Sequence, residues 1–203
     1  MEFFETVRSR RSIRRFSDRE VTQGDITAIL ETAILAPSAT NEQPWHFIVI
    51  RDRALKNDMS EVITAIVNAS MEATDDKARK QRLARMRLYS THFAEAPVAI
   101  AVLARPWEGP RYSSSSPEPS HRDLGIESTA MAAAHIQLAA AALGYGSCFS
   151  SAPAEFAREE LEAVLGVENP WFLLGILSLG MPSKQPGERP PRKSLEEVCT
   201  FIG

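Results

Sequence analysis

Apolar residues recur at helical spacing in the first half of the chain and predict its helices there. One helix starts at the pair Thr22 and Asp25, which is typical of a capped N-terminus, and stops before Pro37. A second stripe covers Leu55–Val67. The charged stretch Arg79–Arg87 follows and is also predicted to be helical.

The second half predicts a long helix that is rich in alanine. Ser120 and Asp123 resemble a second capping pair, and Gly144 ends the helix after Leu143. Because alanine leaves the helix thin on almost every side, we expect it to pack closely against several neighbours as the central helix. A shorter helix is predicted over Ser150–Leu165.

Three short apolar runs predict strands, at Trp45–Ile50, Pro97–Ala104 and Trp171–Gly180. Helices and strands do not alternate regularly, so the order favours an α+β fold over a doubly wound sheet. The glycine-rich patterns GxGxxG and GxxxxGK[ST], which bind nucleotide phosphates, do not occur in the sequence.

Composition narrows the class of protein. The 203 residues fit a single domain with a net charge of −3, which argues against a nucleic-acid-binding protein. No apolar run approaches the ~20 residues of a membrane span, and the N-terminus lacks a signal-peptide pattern. Cys148 and Cys199 have no metal-binding spacing, and a cytoplasmic protein is the simplest interpretation.

Two stretches are set apart from the domain of residues 1–203. Residues 105–120 contain four prolines and a run of serines and are predicted to form a flexible surface loop. The loop is either a plain linker or a lid over a site. Residues 183–203 form a C-terminal tail that begins basic and rich in proline.

Basic residues are concentrated near both ends of the chain. Arg8–Phe16 holds five arginines and two serines, and guanidinium groups and hydroxyls suit a phosphate. Ser183–Lys193 adds Lys184, Arg189, Arg192 and Lys193 as possible phosphate ligands. Each run also fits an ordinary solvated face or a solubilising tail.

Two further segments suit a flat, polar ligand. Ala36–Phe47 is stiffened by prolines, and Asn41 and Gln43 match the edge of an amide-like ring, although the segment also fits a capped turn. In Ala142–Pro153, glycines such as Gly146 allow close approach of the backbone to a ligand. A helix C-cap followed by a buried strand explains this segment equally well.

Together these segments resemble the nitroreductase family of flavoenzymes. The family pattern RR-S-x-R matches Arg10–Arg14, and APS-x-x-N-x-Q-P-W-x-F matches all of Ala36–Phe47. LG-x-G-S matches Leu143–Ser147, and the final elements match Leu179–Pro182 and Arg192–Val198. The matches occur in the family's order and span residues 8–198.

The resemblance implies an α+β fold with a central mixed, mostly antiparallel sheet flanked by helices. It also implies an intertwined homodimer with FMN at the subunit interface. The implied cofactor ligands are phosphate and ribityl ligands near the N-terminus and in the tail, ring contacts from the other subunit, and backbone contacts to the ring. The phosphate and ribityl ligands are Arg10, Arg11, Ser12, Arg14 and Arg192. The ring contacts from the other subunit are Pro37, Ser38, Asn41 and Gln43, and the backbone contacts to the ring are Gly146 and Ser147.

This sequence departs from the family pattern at two places. A polar flavin ligand usually lies on the helix before the second strand, where Arg87, Tyr89 and His92 are the candidates here. The chain also ends soon after Val198, so a long arm embracing the partner would be truncated.

The implied activity transfers electrons from NADH or NADPH through flavin N5 to a nitroaromatic, a quinone or a similar small acceptor. This ping-pong cycle requires no catalytic side chain. Two alternatives remain open: a flavin protein for storage or sensing, and a flavin-dependent dehydrogenase of a biosynthetic intermediate such as a peptide azoline or an enone.

Overall fold

The computed structural model describes residues 2–109 and 121–203. Within them the helices are α1 (Phe3–Ser9), α2 (Gln23–Ala33), α3 (Arg53–Glu72), α4 (Lys77–Thr91), α5 (His121–Ala142), α6 (Ala152–Leu165) and α7 (Leu195–Val198). The strands are β1 (Trp45–Ile50), β2 (Val98–Ala104), β3 (Gly146–Ser150) and β4 (Phe172–Gly180). Short 3-10 turns cover Ala39–Asn41 and His92–Glu95.

Helix termini follow the signals in the sequence. The Thr22 hydroxyl accepts a hydrogen bond from the Asp25 backbone N–H at 3.1 Å, which confirms the predicted cap of α2. Gly144 and Gly166 have φ angles of 83° and 65° where α5 and α6 end, as helix-stopping glycines require. The predicted cap at Ser120 lies outside the described residues.

The four strands form one sheet in the order β1-β2-β4-β3. All three strand pairings are antiparallel, and an isolated bridge between Ser12 and Ser147 adds a parallel contact. This arrangement confirms the predicted α+β fold with a mostly antiparallel sheet. It also places β1 and β3 at opposite edges of the sheet.

Strand β2 is buried along its whole length because helices cover both faces of the sheet. Ala99, Ala101 and Leu103 belong to a core shared with α3 and α6. The alternate residues Ile100 and Val102 belong to a second core, shared with α2 and α5. A continuous apolar run is therefore expected here, in place of apolar–polar alternation.

Helix α5 contacts α1, α2 and three of the strands, as expected for the predicted central helix. Its alanines at the contact, including Ala132 and Ala140, are fully buried and allow the close approach. Within the described ranges, no helix is long and apolar enough to cross a bilayer.

The first five residues of the predicted flexible loop, 105–109, are anchored to the fold. The Trp107 side chain is only 4% exposed, and its backbone N–H donates to the His121 carbonyl at 2.7 Å. Residues 110–120 lie outside the described ranges.

Candidate functional site

The arginine-rich N-terminal segment lies along the outer edge of β3. Ser12 forms a parallel bridge with Ser147, and the Ile13 N–H donates to the Ser147 carbonyl at 3.0 Å. Because β3 is an edge strand, its outward backbone groups need such a partner. The predicted pair of segments, Arg10–Arg14 and Gly146–Ser147, is therefore brought together.

Close approach of the two segments depends on Gly146. A Cβ at this position would lie 2.7 Å from the Ile13 side chain, which is too close for any residue but glycine. The glycine predicted to approach a ligand thus also seats the N-terminal segment.

A cavity of about 310 Å³ opens beside this contact. Three parts of the chain line it: the N-terminal segment, the turn between α5 and β3, and the tail after β4. The predicted residues among its lining are Arg10, Arg11, Gly146, Ser147 and Lys184, and Tyr145 is a new one.

Positive charge accumulates around the cavity. The Arg189 guanidinium donates to the carbonyls of Val7 at 2.8 Å and of Arg8 at 2.6 Å. Loss of water contacts and the neighbouring Arg11, Arg192 and Arg10 guanidinium groups lower the pKa of Arg189.

No carboxylate within the described ranges forms an ion pair with Arg10, Arg11, Arg189 or Arg192. The Arg11 Nε is buried without a hydrogen-bond partner. Clustered cations with an unsatisfied donor are costly unless an anion joins them, so the site is suited to a phosphate.

Two tail arginines differ in their placement. Arg192, which the family resemblance implies as a cofactor ligand, is exposed. It donates to the carbonyls of Pro190 at 3.1 Å and Pro191 at 3.3 Å. Arg189, which the sequence indicates only as one of several basic residues of the tail, ties the tail to the N-terminal segment. Its contacts join residues far apart in the chain, so spacing alone did not distinguish it from Arg192.

A second cavity of about 550 Å³ is lined by Arg14 and Arg15 of the N-terminal segment. The Arg14 guanidinium lies 5.0 Å from the centre of the Tyr89 ring. Tyr89 and His92 line this cavity as well. Arg87 instead donates to Asn68 of α3 at 2.7 Å, so two of the three candidates on this helix remain.

His92 is positioned as a neutral hydrogen-bond acceptor. Its Nδ1 lies 2.9 Å from the Tyr89 carbonyl, which requires a hydrogen on that nitrogen. Burial lowers the pKa of His92, while the Tyr89 carbonyl opposes that effect. Its Nε2 is buried without a partner and is left to accept a hydrogen bond.

Cys148 lies on β3 and is 1% exposed. Burial raises the pKa of its thiol, with Arg14 acting in the opposite direction. The thiol is thus held neutral and is unsuited to nucleophilic attack. In the part of the chain that the structure describes, no group of three or more His, Cys, Asp or Glu side chains is arranged to hold a metal.

The loop Ser38–Gln43, called the 38–43 loop below, has an unusual backbone. Thr40, Asn41 and Gln43 have positive φ angles of 51°, 59° and 52°. Such angles are uncommon outside glycine, and for a β-branched threonine they are strained. The loop is closed by the Ser38 hydroxyl, which accepts from the Gln43 N–H at 3.0 Å.

The 38–43 loop is far from the cationic cavity of about 310 Å³ in the same chain. Its Ala39 N–H donates to Ser128 near the start of α5, whereas Ala141 at the end of α5 lines the cavity. Thirteen residues of helix between these points span about 20 Å. The two groups of predicted cofactor ligands therefore lie at opposite edges of the sheet.

The fold is thus α+β, with a cationic cavity at one edge of the sheet and a strained polar loop at the other. The model of the nitroreductase family matches residues 7–181. A protein of Archaeoglobus fulgidus named NADH dehydrogenase/NAD(P)H nitroreductase is 34% identical over 91% of this chain and 87% of its own length. The chain belongs to the nitroreductase family.

Solved structures agree with this assignment. A BluB-like flavoprotein from Clostridium difficile 630 aligns over all of both chains with a TM-score of 0.86 and 31% identity. The FMN and NADPH-dependent nitroreductase NfnB from Sphigopyxis sp. strain HMH also aligns over the full length of both chains, with a TM-score of 0.77. At 21% identity, the second likeness concerns the fold alone.

Proposed function

We propose that this protein is an FMN-dependent oxidoreductase that takes electrons from NADH or NADPH and passes them to a small organic acceptor. The observation that carries the proposal is the group of cations around the 310 Å³ cavity, which has no carboxylate partner in the described ranges. Membership of the nitroreductase family and the likeness to a BluB-like flavoprotein support a flavin as the ligand.

The phosphate of FMN fits the cationic group by charge and by donor type. Arg10, Arg11 and Arg189 offer guanidinium groups, and Ser12 offers a hydroxyl. Arg192 supplements this charge from solvent. We assign the backbone contacts to the flavin ring to Gly146 and Ser147, as the family resemblance implies. The space that a Gly146 side chain would occupy is filled by Ile13, so this glycine also seats the N-terminal segment beside the site.

The polar edge of the flavin ring carries both acceptors and a donor. Arg14, Tyr89 and His92, which line the second cavity, complement it. Arg14 donates, and the free Nε2 of neutral His92 accepts. Tyr89 holds Arg14 in place through its ring. We therefore favour Tyr89 and His92 over Arg87 as the residues of α4 and its following turn that serve the flavin.

When bound, FMN supplies the two-electron chemistry, accepting hydride from a nicotinamide and returning electrons to an acceptor. The chain's own residues hold the phosphate, orient the ring and limit its exposure to water. No side chain need act as a nucleophile, in agreement with the neutral, buried thiol of Cys148.

We further propose that the active form is a homodimer in which the 38–43 loop contacts the flavin held by the other chain. Within one chain the loop and the cationic cavity are separated by the length of α5. Apolar side chains next to the loop are unusually exposed, with Ile34 at 50% and Leu35 at 77%. A second copy of the chain would cover them and bring Asn41 to the other site.

The test is a visible spectrum of the purified protein after incubation with FMN, followed by anaerobic titration with NADH and with NADPH. We expect a bound-flavin spectrum that one or both donors bleach, and recovery of colour when a quinone or nitroaromatic is added. A protein that stays colourless with excess FMN contradicts the proposal. Bleaching without steady turnover of any acceptor would instead indicate a binding role.

A further inference from the structure

We propose that Trp107 and Arg105 are positioning residues that hold the 38–43 loop in the shape that contacts flavin. This inference rests on the proposed FMN-binding function. It concerns residues 105–109, called the 105–109 segment below, which the sequence assigns to a flexible loop.

The 38–43 loop needs outside support because its backbone is unfavourable. Thr40 has a φ of 51° although its β-branched side chain disfavours the left-handed region. Such conformations persist where surrounding contacts determine them, and they occur often at ligand sites. Asn41, next in the chain, takes the same region with less strain.

The first support is a hydrogen bond to Thr40 itself. The Trp107 indole Nε1 donates to the Thr40 hydroxyl at 3.0 Å, and that hydroxyl donates to the Ala39 carbonyl at 2.8 Å. The hydroxyl is thus fixed as both acceptor and donor. Because Trp107 is only 4% exposed, its indole has little freedom to move away.

The second support lies on the other side of Asn41. The Glu42 carboxylate accepts the Glu108 N–H at 3.0 Å and forms an ion pair with Arg105 at 3.3 Å. Arg105 also pairs with Glu108 at 2.7 Å. Asn41 is therefore bracketed by two contacts to the same segment, one through Thr40 and one through Glu42.

The segment that makes these contacts is itself rigidly seated. The Arg105 N–H donates to the Pro44 carbonyl at 3.1 Å, and a Cβ at Gly125 of α5 would overlap the Arg105 carbonyl. A Cβ at Gly109 would overlap the Trp107 ring. Both glycines allow contacts that any side chain would block.

These contacts preset the orientation of Asn41 and Gln43 before a ligand arrives. A loop that is ordered in advance loses less entropy on binding, so the ligand binds more tightly for the same contacts. The 105–109 segment thus contributes to flavin affinity without touching the flavin.

The hydrogen bond is tested by Trp107→Phe, which removes the indole donor, and Thr40→Val, which removes the acceptor and keeps the β-branch. We expect each to raise the dissociation constant for FMN by about tenfold, measured by quenching of flavin fluorescence. The double variant should bind FMN as weakly as either single variant and no more weakly. Thr74→Val is the matched control, because its hydroxyl accepts a backbone N–H in the α3–α4 connection.

A rescue separates positioning from general damage to the fold. Asparagine tolerates the left-handed region better than threonine does. Replacing Thr40 with Asn in the Trp107→Phe protein should therefore restore most of the FMN affinity. Restored affinity would be hard to explain if Trp107→Phe merely destabilised the whole chain.

Amide hydrogen exchange supplies a readout that does not depend on flavin. Peptides covering residues 36–47 should exchange faster in Trp107→Phe than in the wild type, with and without FMN, while peptides from α3 stay unchanged. If the wild type takes up no FMN, the proposed function fails. The exchange data then still test the clamp, which is the hold of Trp107 and Arg105 on the 38–43 loop. If FMN binds but Trp107→Phe changes neither affinity nor exchange, the clamp alone is overturned, as it is if the two single effects add in the double variant.

Discussion

Arg189 links the two ends of the chain at the cationic cavity. Its guanidinium bonds the carbonyls of Val7, Arg8 and Arg10, and it lies near enough to Arg10 and Arg11 to feel their charge. One side chain therefore both ties the tail to the N-terminal segment and adds to the positive charge near the cavity.

Replacing Arg189 with glutamine should weaken FMN binding by about tenfold to a hundredfold, because charge-assisted donors are lost together with the seat of the N-terminal segment. Arg192→Gln is the matched control, since it removes the same charge from an exposed tail position. The measurement is flavin fluorescence quenching at two salt concentrations. Equal losses in the two variants would show that charge alone matters and that the seating contacts do not.

Tyr145 fixes the turn after α5 to the start of α2. Its hydroxyl donates to the Asp25 carboxylate at 2.6 Å. This hydrogen bond, with help from Thr22, lowers the pKa of Asp25 below its ordinary 3.8. The stabilisation is complete above that ordinary value and is lost as the pH falls through the lowered one.

Tyr145→Phe should therefore destabilise the protein near neutral pH, and the difference from the wild type should shrink in acid. Urea unfolding midpoints at pH 7 and pH 3 provide the measurement. In an Asp25→Asn background, the effect of Tyr145→Phe should no longer depend on pH over this range. A difference that stays constant with pH in the native background would contradict the assignment.

Individual site residues could be predicted from the sequence only where a local motif carries them. Arg10, Ser12 and Gly146 are predicted because each belongs to a short pattern. The structure places them close together, and their roles as cofactor ligands stay predictions. Trp107 was placed in a flexible loop because its partner, Thr40, lies 67 positions away. The roles of Arg189 and Trp107 depend on contacts between distant parts of the chain, which local patterns do not describe.

At the scale of elements, two glycines on helices make opposite demands. Gly125 of α5 lies under the Arg105 carbonyl, with no room for a side chain. Gly24, in the first turn of α2, has room for a Cβ, whose nearest neighbour would be the Thr22 hydroxyl at 3.9 Å. The same substitution should therefore have opposite effects at the two sites.

We expect Gly125→Ala to destabilise the protein by about 1–3 kcal/mol, because the 105–109 segment must shift away from α5. Gly24→Ala should instead stabilise it by about 0.5–1 kcal/mol, since alanine favours the helix and restricts the unfolded chain. Thermal and urea unfolding of both variants provide the comparison. Two effects of the same sign would show that the overlap at Gly125 relaxes without cost.

Elements with a clear local pattern could be predicted, including the short strand β1, while β3 could not be assigned to a single interpretation. β2 was identified because helices on both faces of the sheet select a run without polar residues. For β3 the sequence leaves two interpretations open, a segment that approaches a ligand and a buried strand. The small residues of Gly146–Ser150 suit the contact with the N-terminal segment more than they favour a strand. The pairing of β3 with β4, for example between Ser147 and Leu179, depends on contacts between distant parts of the chain.

On the scale of the whole molecule, the predicted cofactor ligands fall into two groups that lie at opposite edges of the sheet. Arg10 and Ser147 lie at the β3 edge, and Asn41 lies beside the start of β1 at the opposite edge. Three strand spacings between those edges amount to roughly 14 Å. In the proposed dimer the second group comes from the other chain, so binding and dimerisation should be lost together.

Leu35→Lys should thus convert the dimer to a monomer and release FMN, because it places a charge on exposed apolar surface beside the loop. Val164→Lys on α6 is the control, since Val164 is also partly exposed but α6 covers the face of the sheet opposite to the one that α2 covers. Light scattering gives the mass, and absorbance gives the bound flavin. A monomer that retains its flavin would contradict the shared site.

Mixing two defective chains tests the shared site directly. Arg10→Ala damages the cationic cavity and Asn41→Ala damages the loop, so each homodimer should bind FMN poorly. If the loop serves the neighbouring chain's flavin, a hybrid dimer has one site with both defects and one intact site, and random mixing restores about a quarter of all sites. If the loop serves its own chain, both sites of every hybrid carry one defect, and mixing restores none. The FMN bound after joint unfolding and refolding of the two variants distinguishes these arrangements, with each variant refolded alone as the baseline.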